Sequence, residues 1–221
     1  MSSEELSKAF YEQLGAEGLA RRTSSAADAE IIATLSELLP RGSRVLDAGC
    51  GYGRIALPLA RLGYRIEGID LSPEMVEAAR TAAQAESLEV GFTLGSMTKL
   101  PLEDTAFDAA ICLWSAFNEL LDEPEQLAAV KEMRRVLRPG GLLLIEGRPY
   151  HKPTEQEIAS RTRRGPEHRV EWGLVEGILN PHYRHDEASL AGLCREAGFE
   201  RFEIAVRPWG RRERLVLQAF R

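Results

Sequence analysis

The chain has 221 residues and a formal net charge of −6, and this length suits one α/β domain with a modest addition. The acidic balance argues against nucleic acid as the main partner, because phosphate binding needs a basic surface. No apolar run approaches the length of a membrane-spanning helix, which is about 20 residues, and the sequence shows no secretion signal. Its three cysteines are widely spaced, so we expect a cytoplasmic protein without a membrane partner.

Apolar residues recur at helical and at strand spacing in alternation as far as residue 147. The predicted strands are 44–48, 64–69, 88–94, 107–114 and 142–147, and the predicted helices are 3–20, 25–39, a segment ending at 62, 73–85 and 125–137. Ser72-Pro73-Glu74 marks one helix start, with an N-cap serine, a proline and an acid in the first turn. Short apolar strands that alternate with helices predict a parallel sheet with helices on both faces.

The alternation stops after residue 148. The segment 149–185 carries prolines, basic residues and the four histidines, and it contains one weak strand prediction over 170–178. The histidines have no cysteine or carboxylate at a recognised ligand spacing, so we expect no metal site. The remaining predictions are a helix over 186–197 and a hairpin at the sheet edge, formed by strands 201–206 and 214–220 and joined through Pro208-Trp209-Gly210.

A glycine-rich turn, Gly49-Cys50-Gly51-Tyr52-Gly53, follows the first predicted strand and opens a helix. Glycine lets the backbone approach a ligand closely, and a helix N-terminus offers free N–H groups. Asp70, about 20 residues further on at the end of the second strand, is placed to accept hydrogen bonds from ribose hydroxyls. The Gly-x-Gly-x-Gly spacing differs from the Gly-x-Gly-x-x-Gly fingerprint of dinucleotide-binding folds. The pattern predicts a nucleotide-like ligand at the carboxyl ends of the strands.

Residues 43–147 and the final hairpin, with these motifs and the Leu-Arg-Pro-Gly-Gly turn before the fifth strand, resemble the class I (Rossmann-like) S-adenosylmethionine-dependent methyltransferase superfamily. The resemblance implies an α/β, doubly wound, seven-stranded, mostly parallel sheet whose last strand is antiparallel, with S-adenosylmethionine as the cofactor. The cofactor-binding residues that it implies are Asp47, Gly49, Cys50, Gly51, Asp70, Leu71, Met75, Ser96, Met97 and Leu113. At the position of Ser96 many relatives have an aspartate, which binds the adenine amino group. In this chain the Ser96 hydroxyl or the Met97 backbone is expected to make that contact instead.

Side chains beyond the fourth and fifth strands are expected to face the methyl acceptor, a small molecule. The acceptor-binding residues expected there and on the N-terminal helix are Tyr11, Trp114, Asn118, Tyr150 and Tyr183. Packing under the next helix is an equal alternative for Trp114. His151 or His182 is expected to act as a general base if an oxygen atom is methylated, and neither is needed for a nitrogen atom.

The resemblance divides this single domain into a helical lid (1–42), a cofactor-binding core (43–148), a substrate-specificity insertion (149–185) and a C-terminal helix with the edge hairpin (186–221).

Two other functions stay open. An NAD(P)-dependent oxidoreductase on a similar sheet conflicts with the glycine spacing, and a non-catalytic binding module conflicts with the intact glycines and acids of the turn. Both a monomer and a homodimer are compatible with the sequence.

Overall fold

The computed structural model describes residues 1–23, 25–209 and 212–221, so the predicted hairpin turn at Gly210 lies outside the described residues. The helices are α1 (Ser3–Arg21), α2 (Ser25–Leu38), α3 (Ala56–Arg61), α4 (Pro73–Ala85), α5 (Glu123–Val136), α6 (Glu155–Ala159) and α7 (Glu187–Glu196). The strands are β1 (Arg44–Ala48), β2 (Arg65–Asp70), β3 (Gly91–Leu94), β4 (Phe107–Cys112), β5 (Leu137–Gly147), β6 (Arg163–Arg164), β7 (Val170–Val175), β8 (Ile178–Tyr183), β9 (Arg201–Trp209) and β10 (Arg212–Phe220).

The main sheet has the strand order β3-β2-β1-β4-β5-β10-β9. The strands from β1 to β5 pair in parallel, while β10 is antiparallel to both β5 and β9. The prediction of a doubly wound, seven-stranded sheet with an antiparallel last strand is confirmed. The hairpin differs from the prediction in one respect, because β10 lies inside the sheet and only β9 forms its edge.

Helices cover both faces of this sheet, as the alternation of strands and helices predicts. The helices α5 and α7 pack on one face, where Met133 and Cys194 are fully buried. The helices α2, α3 and α4 pack on the other face, where Leu35 and Leu59 are fully buried. Each such side chain contributes about 1.5–3 kcal/mol through its removal from water, so these layers fix the positions of the strand ends.

The strand β5 begins earlier than the prediction of 142–147. Its pairing with β4 shifts after Leu137, which marks a bulge. Within the bulge Gly140 has a φ of +77°, and its N–H donates to the carbonyl of Arg221 at 2.6 Å. The Pro-Gly-Gly segment predicted as a turn is therefore an irregular part of the strand, held by the C-terminal residue.

Residues 149–185 contain a second, three-stranded sheet, β6-β7-β8, where the sequence predicts one weak strand. A two-residue turn joins β7 to β8, and Glu176 and Gly177 in it have φ values of +53° and +81°. Positive φ at both positions is what a tight turn between antiparallel strands requires. The strand predicted within 170–178 is β7, which ends at Val175 because Glu176 and Gly177 reverse the chain.

The N-terminal helix α1 lies over the strand ends of the main sheet. It is interrupted at Gly15, where φ is +70° and ψ is 163°. Its first turn is fixed by two contacts: the Leu121 N–H donates to Ser3 Oγ at 2.8 Å, and the Thr98 hydroxyl donates to Glu4 Oε1 at 3.1 Å. Among the described residues, the structure contains no helix with the length and apolar character needed to cross a membrane.

Candidate functional site

A cavity of about 930 Å³ lies where the parallel strands end. The ends of five neighbouring strands contribute Asp47, Asp70, Gly95, Leu113 and Arg148 to its lining. The helix α1 covers it with Phe10, Tyr11 and Leu14, and the small sheet adds Val175, Asn180 and His182. Small-molecule sites measure about 300–1,000 Å³, so this volume suits a site that holds a cofactor together with an acceptor.

The glycine turn forms one wall of this cavity. Gly49 has a φ of +81°, and a Cβ placed on it would stand 2.7 Å from the Cβ of Ala116. The N–H groups of Gly49 and Cys50 both donate to the Ile69 carbonyl, at 2.8 and 3.0 Å. The turn is thus tied to the end of β2, and the loop after β4 lies against it only because Gly49 has no side chain.

Asp70 connects the glycine turn with the start of α4. Its Oδ2 accepts from the Gly51 N–H at 2.8 Å, and its Oδ1 accepts from the Ser72 N–H at 2.9 Å. Burial raises the pKa of the carboxyl, and these N–H donors oppose the increase. Ser72 itself caps α4, as predicted, because its Oγ accepts from the Met75 N–H at 3.4 Å. An ionised carboxylate has about four acceptor sites, so Asp70 retains capacity for a ligand hydroxyl.

Two further acids, Asp47 and Glu119, line the same cavity. Burial and the neighbouring Asp70 raise the pKa of Asp47 to about 7. Burial also raises the pKa of Glu119 to about 7, although two hydroxyl donors oppose it. Those donors come from α1: Tyr11 Oη lies 2.5 Å from Oε1, and Ser7 Oγ lies 2.6 Å from Oε2. This side of the cavity therefore attracts a positively charged ligand.

Trp114 follows β4 in a strained conformation. Trp114 and Ser115 have φ values of +57° and +69°, which side-chain-bearing residues rarely adopt. Glu146 stabilises this turn, since its Oε2 accepts from the Trp114 N–H at 2.6 Å. The guanidinium carbon of Arg54 lies 3.7 Å from the centre of the indole ring, a cation–π contact. The indole is thereby held in the cavity lining between the glycine-turn side and the β5 side.

The opposite side of the cavity is basic. Arg148, Arg212, Arg214 and His182 line it, at the ends of β5 and β10 and on β8. His182 Nδ1 lies 3.2 Å from the Asn180 carbonyl, so this nitrogen carries the proton in the neutral ring. Burial, with Arg148 and Arg184 nearby, lowers the pKa of His182 to about 3. The imidazole is thus neutral at physiological pH and a weak base.

Residues 45–141 match the family profile described as a methyltransferase domain. The match covers less than half of the chain, and it shows that this segment is similar to methyltransferase domains. A ubiquinone biosynthesis O-methyltransferase of Xanthomonas oryzae pv. oryzae (strain PXO99A) is 39% identical over 106 residues, which are 47% of this chain and 42% of that protein, so the match spans less than half of the relative. A protein of the same name from Xanthomonas axonopodis pv. citri (strain 306) is 29% identical over 192 residues, 81% of this chain and 73% of that protein.

The fold also resembles that of a solved methyltransferase. Burkholderia thailandensis 1,6-didemethyltoxoflavin-N1-methyltransferase, with bound 1,6-didemethyltoxoflavin and S-adenosylhomocysteine, superposes with a TM-score of 0.70 at 22% identity. The superposition covers 98% of this chain and 87% of that one. The shared fold extends beyond residues 45–141 and includes the N- and C-terminal segments of this chain.

The matched segment brings most of the predicted cofactor residues to the cavity. Those that line it are Asp47, Gly49, Cys50, Gly51, Asp70, Leu71, Met97 and Leu113. Met75 does not line it, because its side chain is fully buried in α4. Ser96 does not line it either: its hydroxyl is bonded to Glu4 of α1 and to Thr98. The expected adenine contacts of Met75 and of the Ser96 hydroxyl are corrected accordingly.

Of the residues expected at the acceptor, Tyr11, Trp114 and His182 line the cavity. Asn118 does not, since it is buried with its Nδ2 donating to the Tyr183 carbonyl at 2.5 Å. Tyr183 is also buried, with its ring centre 4.7 Å from that of His185. These two residues join the main sheet to the small one, so their predicted contact with the acceptor is corrected to a structural role.

Tyr150 and His151 also lie outside the lining. The Tyr150 N–H donates to the His185 carbonyl at 2.6 Å, which directs the chain away from the cavity after β5. The Tyr150 ring lies under Arg169, 4.0 Å from its guanidinium carbon. His151 contacts Arg163, with 2.9 Å between Nη2 and Nε2, and is largely exposed. The prediction of His151 as a general base is corrected, because its side chain does not reach the acceptor space.

Sequence reasoning missed several charged residues of the site: Glu119, Arg54, Arg148 and Arg214. Arg148 directly follows β5, so the rule that ligands bind beyond strand ends applies to it as much as to Tyr150. Glu119 directly follows Asn118 in the segment after β4, so the same rule of position applies to it. Arg214 reaches the site only because β10 pairs with β5, a long-range contact that no local pattern reveals.

Proposed function

We propose that this chain transfers a methyl group from S-adenosylmethionine to a nitrogen or oxygen atom of a small molecule. The observation that carries the proposal is the 2.8 Å hydrogen bond from the Gly51 N–H to Asp70 Oδ2 inside the segment that is similar to methyltransferase domains. This bond fixes the glycine turn and the ribose-binding acid side by side in one cavity. The relatives named as O-methyltransferases support the same chemistry.

The cavity residues fit this cofactor. A Cβ on Gly51 would meet only Leu19 Cδ2, at 3.9 Å, so the backbone there leaves room for a ligand, and Asp70 retains lone pairs for ribose hydroxyls. Asp47 and Glu119, whose pKa values of about 7 leave them partly protonated without a ligand, become fully ionised beside a cation. Bound S-adenosylmethionine would supply a methyl group on a positively charged sulfur, and Asp47 and Glu119 give the cavity the negative charge that suits such a ligand.

The main contribution of the protein is alignment and exclusion of water. Methyl transfer is an in-line displacement that needs the acceptor atom, the methyl carbon and the sulfur in one line. Trp114, fixed by Arg54 and Glu146, provides a rigid wall for this alignment. Residues 1–42 act as a lid through Tyr11 and Phe10, and residues 149–185 set acceptor specificity through β8. A neutral His182 orients the acceptor through Nε2 rather than removing a proton from it.

The acidic balance and three buried free cysteines fit an enzyme of the reducing cytoplasm without a nucleic-acid partner. An NAD(P)-dependent oxidoreductase is not favoured, because the glycine spacing and the family match both point to a methyltransferase. A non-catalytic module is likewise not favoured, since the cavity keeps its acids and the glycines of its turn.

Cofactor binding tests the proposal directly. We expect S-adenosylhomocysteine to raise the melting temperature of the wild type, and NAD to leave it unchanged. Asp70→Asn should weaken S-adenosylhomocysteine binding about 10- to 100-fold by calorimetry, because a charged hydrogen-bond acceptor is lost. Glu89→Gln, an exposed acid on the surface, is the matched control and should bind normally. Stabilisation by NAD alone, or by neither compound, would overturn the proposed function.

A further inference from the structure

Arg148 is a half-buried cation without an ion-pair partner among the described residues. It directly follows β5 and lines the cavity, yet within the described part of the chain no carboxylate lies within ion-pair distance of its guanidinium. Burial lowers its pKa, and the positive charge of Arg212 lowers it further, while Glu171 and Glu146 act only from a distance. A guanidinium in such a position is stabilised by an anionic ligand.

The surroundings of Arg148 hold more cations than anions. In the described ranges, the charged groups that interact with Arg148 are three guanidinium groups and two carboxylates: Arg184, Arg212 and Arg214 against Glu146 and Glu171. Both carboxylates already bind arginine, because Glu146 pairs with Arg214 at 2.9 Å and Glu171 pairs with Arg184 at 2.7 Å. The positive charge of Arg148 and Arg212 therefore remains available to a molecule in the cavity.

Strand geometry directs these cations to one place. Val216 of β10 pairs with Glu146 of β5, so these two side chains lie on the same face of the sheet. Every second residue along each strand returns to that face. Arg212 and Arg214 thus lie on the same face as Arg148, at the end of the sheet where the cavity opens. Two adjacent guanidinium groups on rigid strands form a fork that suits a planar carboxylate or a phosphate.

The carboxylate of the cofactor does not account for this group of arginines. The glycine turn follows β1, whereas β5 and β10 lie two and three strands away in the sheet order. At about 4.8 Å per strand, these distances are about 10 and 14 Å. Arg54 directly follows the glycine turn and lines the cavity there, where Asp28 already pairs with it at 2.8 Å. The charge of Arg148 therefore lies at the other end of the cavity, away from the turn.

We infer that the methyl acceptor carries an anionic group, a carboxylate or a phosphate, which binds to Arg148 and Arg212 on the β5–β10 side of the cavity. This inference rests on the proposed function, because it assigns the acceptor to the space that the cofactor leaves free. Arg214 holds its position through Glu146 and supports the fork, and His182 adds a neutral hydrogen-bonding group beside it. Uncharged analogues of the same acceptor bind poorly, because the half-buried Arg148 then stays unpaired.

The test uses the full chain saturated with S-adenosylhomocysteine, so that the cofactor end is already filled. The probes are benzoate, phenyl phosphate and their neutral counterpart benzamide, measured by calorimetry and by thermal shift. We expect both anions to bind and benzamide to bind at least about tenfold more weakly, as one charge-assisted hydrogen bond implies. The comparison of benzoate with phenyl phosphate separates a carboxylate site from a phosphate site.

Variants locate the binding group. Arg148→Gln and, separately, Arg212→Gln should each reduce anion affinity at least about fivefold and leave S-adenosylhomocysteine affinity within twofold. Arg207→Gln, on the exposed part of β9 and outside the cavity lining, is the matched control and should change neither affinity. If Arg148→Gln does not fold, Arg212→Gln and the wild-type probe series still decide. The inference is overturned if benzoate and benzamide bind equally, if no anion binds, or if both variants keep their anion affinity. If the wild type does not bind S-adenosylhomocysteine, the proposed function is refuted instead.

Discussion

Glu146 and Arg214 form an ion pair of 2.9 Å in which both side chains are almost completely buried. Glu146 also accepts from the Trp114 N–H, and Arg214 Nη1 donates to Ser115 Oγ at 3.1 Å. The pair thereby links β5 and β10 to the strained turn after β4. A single interaction thus fixes the residues that separate the acidic and the basic side of the cavity.

Breaking this pair should destabilise the fold strongly. We expect Glu146→Gln to lower the free energy of unfolding by about 3–5 kcal/mol in urea titrations, because Arg214 stays buried without its counter-charge. Glu203→Gln is the matched control: its ion pair with Arg207 is exposed, and its loss should change stability by less than about 1 kcal/mol. Similar effects of the two substitutions would contradict the structural role of the buried pair.

Gly49 should not tolerate a methyl group, for a reason beyond its positive φ. Gly49→Ala places a Cβ 2.7 Å from Ala116 and should displace the loop after β4, with at least about a tenfold loss of S-adenosylhomocysteine affinity. Gly63→Ala has the same backbone strain at φ +90° but no atom within 4 Å of its Cβ. This control should lose about 1 kcal/mol of stability and keep its affinity. Equal affinities in both variants would show that the close approach is not required.

The pKa of Asp47 predicts a pH dependence of the ligand-free protein. Because the folded value of about 7 lies above the ordinary 3.8, the unfolded chain releases this proton first as pH rises. The corresponding stability is complete below about pH 4 and is lost as the pH passes through 7. Asp47→Asn should therefore be more stable than the wild type at pH 8, by up to about 4 kcal/mol, and similar at pH 4. If the melting temperatures of the wild type and of Asp47→Asn change in parallel with pH, this prediction is refuted. Glu89→Gln is the control and should follow the wild type.

The Tyr11–Glu119 hydrogen bond should hold the lid in place. Tyr11→Phe removes the 2.5 Å contact, and Glu119 then keeps only the Ser7 donor. We expect faster hydrogen exchange of the α1 amides and a stability loss of about 1–2 kcal/mol. Tyr150→Phe is the matched control, because its hydroxyl makes only a 3.4 Å contact with Glu167 outside the cavity. Unchanged exchange in Tyr11→Phe would argue against the lid function of residues 1–42.

The two histidines should differ in their effect on catalysis. His151→Ala should leave kcat and KM unchanged, because the side chain contacts Arg163 outside the cavity. His182→Asn should raise KM for the acceptor and leave the shape of the pH–rate profile between pH 5 and 8 unchanged, since the pKa of about 3 lies below that range. An inflection near pH 6.5 that disappears in His182→Asn would instead identify His182 as a general base.

The cofactor side of the site could be predicted from the sequence because its signals are local. Gly49, Gly51 and Asp70 follow directly after β1 and β2, and parallel strands in a doubly wound sheet end at the same edge. Their spacing therefore fixes their position once the strands are recognised, and all three line the cavity. The overall sheet and the N-cap Ser72 followed from local patterns in the same way.

The basic side of the cavity, where we propose that the acceptor binds, was decided by the tertiary structure alone. Arg214 reaches the cavity because β10 inserts between β5 and β9, and His182 reaches it because Gly177 folds β8 back over the strand ends. Tyr150 and His151 follow β5 in sequence, but the hydrogen bond from Tyr150 to His185 draws the chain away from the site. Short-range patterns specify the ends of neighbouring strands, whereas these positions depend on pairings between residues far apart in the chain, for which the sequence carries no local signal.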